Sequence, residues 1–203
     1  MFRMLPALAG VLILSVFQLP VLQAEPAADP RAVVQQLIDA VRGFKEEKKG
    51  GLSAAERQHN AEAKKLANQT LAIREVCQRA LGPQWDKLDS AGKEDFVKLV
   101  TQLFEEVAYP KSSGFFGDLK VDFDGERVNG DTAVVKTTVR HPKEGIVEIE
   151  YKLKRGGNRW VIHDILLDEV SLATDLRSQI QKVLREESYA RLLERMREKL
   201  KEG

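Results

Sequence analysis

Apolar side chains at Val33, Val34, Leu37, Ile38 and Val41 recur every three or four residues, the spacing of one face of an α-helix. Asp29 can cap that helix, and Pro30 suits its first turn because a missing N–H costs nothing there. Gly50 and Gly51 break the pattern. Ser53 followed by Glu56 reads as a capping box opening a second helix, which is polar from His59 to Lys65 and so largely faces water. A third helix is predicted from about Thr70 to Leu81, stopped by Gly82 and Pro83. A fourth opens at Ser90 and carries Phe96, Leu99, Val100, Leu103, Phe104 and Val107 on one stripe, with Tyr109 and Pro110 expected to end it.

The period then changes from about 3.6 to 2. Leu119, Val121 and Phe123 alternate with Lys120, Asp122 and Asp124, and Asn129-Gly130 is a strong hairpin turn. Ala133, Val135, Thr137 and Val139 share the face of the next strand, and Pro142 to Gly145 turns the chain again. Val147, Ile149, Tyr151 and Leu153 follow on a third strand, and Gly156-Gly157-Asn158 leads into a fourth, from Arg159 to Leu167. This predicts a four-stranded antiparallel meander with one apolar face. Ser171 is placed to cap a fifth helix carrying Leu172, Leu176, Ile180, Val183 and Leu184, and a last helix turns Tyr189, Leu192, Leu193, Met196 and Leu200 inward. Helices, then a sheet, then helices define an α+β domain.

The N-terminus has another character. A basic residue, Arg3, precedes a mostly apolar stretch from Met4 to Val21, and a small residue, Ala24, stands at the expected cut. Those are the parts of a cleavable secretory signal. The apolar core from Ala7 to Phe17 is about eleven residues, short of the ~20 that a bilayer span needs. Residues 1–24 are therefore assigned as a signal peptide and 25–203 as one domain. No cysteine follows the apolar core, which argues against a lipoprotein. Removing Arg3 with the leader leaves equal numbers of acidic and basic side chains, which lacks the basic footprint of a nucleic-acid binder.

Enzymatic signatures are sparse. Cys77 is the single cysteine, so an internal disulfide is excluded, and its helical spacing with Ile73, Val76, Ala80 and Leu81 marks a small buried hydrophobe. His59, His141 and His163 do not form a metal-binding pair, and phosphate-loop, dinucleotide and nucleophile-elbow motifs are missing. His163-Asp164 is the one suggestive pair. Adjacent strand residues point to opposite faces, so the two cannot serve one substrate as a dyad. Asp164 is expected on the face of Trp160 and Ile162, either as a general base in a pocket or, preferably, as a structural carboxylate bonding backbone or a hydroxyl.

Residues from Ala80 to Trp85, Asp95-Phe96, Tyr109, Tyr151 to Leu153, Trp160 to Asp164, Val170 to Leu172 and Arg177 to Gln179 together resemble the MlaC family, the toluene-tolerance auxiliary proteins of ABC transporters. The likeness covers about Pro30 to Leu200. It departs from the family pattern at Leu176, where an aromatic residue often stands, and at Asp168-Glu169, which replace a glycine-bearing turn. The resemblance implies a periplasmic phospholipid carrier, not an enzyme, with a nuclear-transport-factor-like fold and an apolar pocket between a twisted sheet and helices. It implies exchange with an outer-membrane MlaA-type lipoprotein complex and an inner-membrane MlaFEDB-type ABC transporter, maintaining outer-membrane lipid asymmetry. A related carrier in hopanoid or lipid metabolism, or an enzyme of the same fold using Asp164, is the alternative. A monomer is expected, with phospholipid as cargo and neither cofactor nor metal.

Such a role is physically reasonable. Exposing an acyl chain to water costs about 0.8 kcal/mol per CH₂, roughly 12 kcal/mol for a sixteen-carbon tail, and an apolar pocket offsets most of it without any catalytic group. The expected lining is Leu103, Val107 and Tyr109 from the fourth helix, Val135, Val147, Ile149, Tyr151 and Ile162 from the strands, and Val170, Leu172 and Leu176 around the start of the fifth helix. Trp85 and Trp160 are assigned to the core.

Overall fold

The computed structural model describes residues 29–45 and 51–202. The signal-peptide assignment and residues 46–50 lie outside the described residues.

Helix α1 (Pro30–Arg42) begins as its sequence requires, with the Asp29 carboxylate accepting from Arg31 N at 3.2 Å. Helix α2 (Ala54–Thr70) opens on a complete capping box. Ser53 Oγ accepts from Glu56 N at 3.2 Å, and the Glu56 carboxylate accepts from Ser53 N at 2.8 Å. The polar half of α2 has a local task. Buried Asn60 accepts from Lys45 N and donates to Lys45 O, both at 2.9 Å, and His59 Nε2 donates to Gly43 O at 2.8 Å. These bonds tie α2 to the chain leaving α1. Helices α3 (Ile73–Leu81), α4 (Pro83–Asp86) and α5 (Ser90–Leu103) follow.

Tyr109-Pro110 does not end the helical run. A π-helical segment, Phe104–Ala108, joins α5 to a further helix, α6 (Tyr109–Phe116). Pro110 lacks an N–H and would break an ordinary helical ladder. Here it falls in the first turn of α6, where no α-type donor is needed, and the wider π turn carries the chain across the junction.

The sheet is an antiparallel meander in the order β1 (Val121–Asn129), β2 (Thr132–His141), β3 (Gly145–Gly156), β4 (Arg159–Leu167) and β5 (Val170–Ser171). Four strands are those expected. The fifth is only two residues long and forms through Leu166–Ser171 and Leu167–Val170 pairing, too short for any periodicity to show. Asp168 and Glu169 make the β4–β5 turn with φ of 44° and 69°, a left-handed conformation rarely taken by residues with a side chain. Asp168 compensates locally, its carboxylate accepting from Glu148 N at 3.0 Å. Helices α7 (Leu172–Glu186) and α8 (Tyr189–Glu202) complete the domain, with Ser171 Oγ capping α7 by accepting from Thr174 N at 3.0 Å.

Two apolar cores form. One joins α1, α2 and the inner face of the sheet, including Ala133, Val135, Val139, Val147, Ile149, Tyr151 and Leu153, so the predicted alternation of β2 and β3 holds. The other joins α3, α5, α7 and α8 around Phe96, Leu81, Ile180, Leu192 and Cys77. Burial pushes the Cys77 thiol up to about 12, as suits a buried hydrophobe. Leu71 and Phe104 pack against both cores and mark the seam between them.

Candidate functional site

A cavity of about 410 Å³ lies at this seam. Its walls come from five places. Helix α1 supplies Leu37, Ile38 and Val41, and the α2–α3 junction supplies Leu71, Ile73 and Val76. Phe104 and Ala108 of the π segment join Tyr109, Lys111, Ser112, Phe115 and Phe116 of α6. The sheet adds Ile149 and Tyr151 from β3 and the stretch from Ile162 to Ile165, with Leu167, from β4; α7 adds Leu172, Ala173 and Leu176. Ile149 and Tyr151 are each 2% exposed and belong to the deep wall, whereas Leu167 and Leu172, at 36% and 43%, form part of the open rim.

Six of the expected lining residues meet here: Tyr109, Ile149, Tyr151, Ile162, Leu172 and Leu176. The other five stand outside the walls. Val135 and Val147 are buried in the sheet–α1 core, closed in by other side chains. Leu103 packs into the helical core one residue before the π segment. Val107 lies within that segment, whose wider turn presents Phe104 and Ala108 to the cavity instead. Val170 on β5 is 61% exposed. Trp85 and Trp160 are core residues, 6% and 3% exposed. The walls contributed by α6 were not foreseen because Pro110 reads as a stop. Those from α1 read as ordinary core, since the same apolar stripe serves either purpose.

The polar groups at the site are few and mostly committed. Tyr109 Oη donates to Asn68 Oδ1 at 2.7 Å, and Asn68 Nδ2 donates to Glu105 Oε1 at 2.6 Å, fastening the π segment to α2. Burial, reinforced by the Glu105 carboxylate, raises the Tyr109 phenol above its ordinary range, and burial pushes Tyr151 up to about 12. Both phenols stay neutral at pH 7. Tyr109 also packs between Phe44 and Phe104, with centroid distances of 5.9 and 6.0 Å. Phe115 is held by stacking on His141 at 5.0 Å.

Asp164 is not on the face of Ile162. A bulge at His163 shifts the β3–β4 register, so that Ile162 pairs with Leu153, Asp164 with Lys152 and Ile165 with Tyr151. The inward alternation therefore resumes at Ile165. The Asp164 carboxylate accepts from Ile165 N at 2.9 Å, Ala173 N at 3.1 Å and Ser171 Oγ at 2.7 Å. Three donors hold it against the start of α7, the arrangement of a structural carboxylate rather than a free base.

The solved phospholipid-binding protein from Ralstonia solanacearum, determined in complex with a phospholipid, has a similar fold. The TM-score is 0.66 at 16% identity, over 88% of this chain and 98% of that one. No curated protein matches the chain. The model of the MlaC protein family matches residues 31–198, which takes in every helix and strand that lines the cavity. The chain belongs to the MlaC protein family.

Proposed function

We propose that this chain is a phospholipid carrier that holds acyl tails in the cavity between the sheet and the helices. The observation that carries this reading is a hollow with almost wholly apolar walls, set at the seam of two cores in a member of the MlaC family. A tail entering past Leu167 and Leu172 would meet Ile149, Ile162, Leu37 and Phe104, and each buried methylene is worth about 0.8 kcal/mol. Lys111 is the cationic side chain among the lining residues and is exposed, so it can meet a lipid phosphate in water.

The carrier would work in the periplasm, delivered there by the N-terminal signal. It would move lipid between the outer and inner membranes as the soluble partner of an MlaFEDB-type ABC transporter and an MlaA-type complex. No helix among the described residues is long and apolar enough to cross a membrane, which fits a protein that travels between two of them. Binding, rather than catalysis, is favoured because the strongest candidate base, Asp164, is occupied by three donors. The test is organic extraction of the purified protein followed by mass spectrometry. Stoichiometric phospholipid is expected, and protein that is lipid-free and cannot be loaded from phospholipid vesicles would refute the proposal.

A further inference from the structure

Part of the cavity rim faces water with apolar side chains. Leu167 and Leu172 border the mouth and are half-exposed. Val170 pairs with Leu167 across the β4–β5 turn and, at 61%, is the most exposed large apolar residue described. Paired residues of an antiparallel ladder stand side by side on one face, so Val170 extends the rim outward from Leu167. This lip is fixed in place. Asp164, in the cavity wall, accepts from Ser171 Oγ at 2.7 Å and Ala173 N at 3.1 Å, and the Asp168 carboxylate accepts from Glu148 N at 3.0 Å. The Glu169 side chain at the tip has no hydrogen bond or ion pair among the described residues. Its φ is nevertheless 69°, a conformation that glycine takes without strain. An exposed carboxylate kept at a strained position with no local bond calls for a contact outside the fold.

We propose that Leu167, Val170 and Leu172, collared by Glu148, Asp168 and Glu169, form a docking surface for a protein that presents an apolar patch edged with basic side chains. An exposed apolar patch in polar surroundings marks a surface that meets a partner, and charge selects which one. From Ile165 to Leu176 the chain has acidic residues at 168, 169 and 175 and no basic one, and exposed Glu148 lies beside Asp168. Lys111, the cation at the cavity, is on α6 and not on this lip. An anionic bilayer surface would repel the lip, whereas lysines or arginines around an apolar patch match it. The surface is continuous with the mouth, so a docked partner stands where cargo enters and leaves. The inference rests on the carrier reading and specifies which face of the carrier meets its exchange partner, and by what chemistry.

The test places a photo-crosslinking amino acid at position 170 of the full chain in its own host cells, with the same probe at position 128 as the control. Val128 is 49% exposed, near the β1–β2 turn on the strand at the opposite edge of the sheet. Position 170 is expected to give a discrete protein adduct that position 128 does not. The captured peptide, read by mass spectrometry, should lie among lysines or arginines. Glu169→Gly removes the charge and relieves the strained φ. It should lower the adduct yield by about twofold to fivefold, the value of one exposed ion pair, while raising the unfolding temperature. A merely structural role would move yield and stability in the same direction. Glu169→Lys should abolish the adduct. No protein adduct from position 170, adducts with phospholipid alone, equal yield from position 128, or a yield unchanged by Glu169→Lys overturns the proposal. Lipid extracted from the unmodified protein tests the carrier reading separately, so protein that is lipid-free yet still gives the adduct overturns that reading and not the docking surface.

Discussion

Filling the hollow from one wall should change stability in opposite directions in the empty and the loaded protein. Ala108 lines the cavity from the π segment, and Ala108→Leu extends three carbons into it. Each added carbon takes up roughly 30 Å³, about the share of a water molecule, so together they occupy about a fifth of the space. Burying them is worth about 0.8 kcal/mol each, hence about 2 kcal/mol of added stability in delipidated protein. For a chain of this size that is about 4–8 °C in unfolding temperature. The same three carbons exclude about three methylenes of cargo, a loss of about 2 kcal/mol and roughly thirtyfold in lipid affinity. Thermal unfolding of delipidated protein, paired with lipid quantified per mole of protein, reads both effects. If side chains already fill this space, the substitution overpacks and destabilises the delipidated form by about 1–3 kcal/mol, lowering its unfolding temperature. That result, or full lipid occupancy in a stabilised variant, would refute the assignment of the hollow to a lipid tail.

The rim and the core should respond differently to a carboxylate. Leu172→Glu places a charge on a half-exposed residue in the first turn of α7, where an acid is well tolerated, so the protein should stay folded while extracted lipid falls several-fold; unchanged lipid would exclude this rim as the entry. Val147→Glu buries a carboxylate in the sheet–α1 core and should cost several kcal/mol, read as loss of cooperative unfolding by circular dichroism. Alkaline pH should weaken the fold through Cys77. Its thiol moves from an ordinary 9.0 to about 12, so the folded state keeps a proton that the unfolded chain releases. This contribution is fully present below pH 9 and is lost as pH rises toward 12, and Cys77→Ala should flatten that limb of a denaturant-midpoint profile. Glu169→Gly should raise stability by about 0.5–1 kcal/mol by relieving a left-handed φ of 69° at the β4–β5 turn, measured by urea unfolding.

Much of the scaffold is legible in the chain because local rules and burial agree there. Asp29, Ser53 and Ser171 cap the helices they precede, and the alternation through Ala133–Val139 and Val147–Leu153 is the buried face of the sheet. Cys77 falls on a buried face because its neighbours at helical spacing are apolar. In each case one side chain and its nearest turn or strand partner contain the relevant energy. The family likeness adds the expectation of a pocket, which no periodicity contains, since an apolar residue facing a neighbour and one facing a void have the same sequence spacing.

What tertiary structure alone decided is where packing stops. Tyr109 and Leu172 border the hollow while Val135 and Val147 do not, although all four are apolar and inward by pattern or nearly so. The difference is that Val135 and Val147 are closed in by other side chains of the sheet–α1 core, whereas Tyr109 and Leu172 border the space left at the seam. Pro110 looks terminal locally, yet the π turn gives it a harmless position, and the helix it opens supplies Phe115 and Phe116 to the wall. The bulge at His163 depends on how β3 and β4 pair, a long-range register that moves Asp164 off the expected face. Local sequence selects elements through capping and alternation. The gap between them arises from the balance of two separate cores, and that balance exists only once the elements have met.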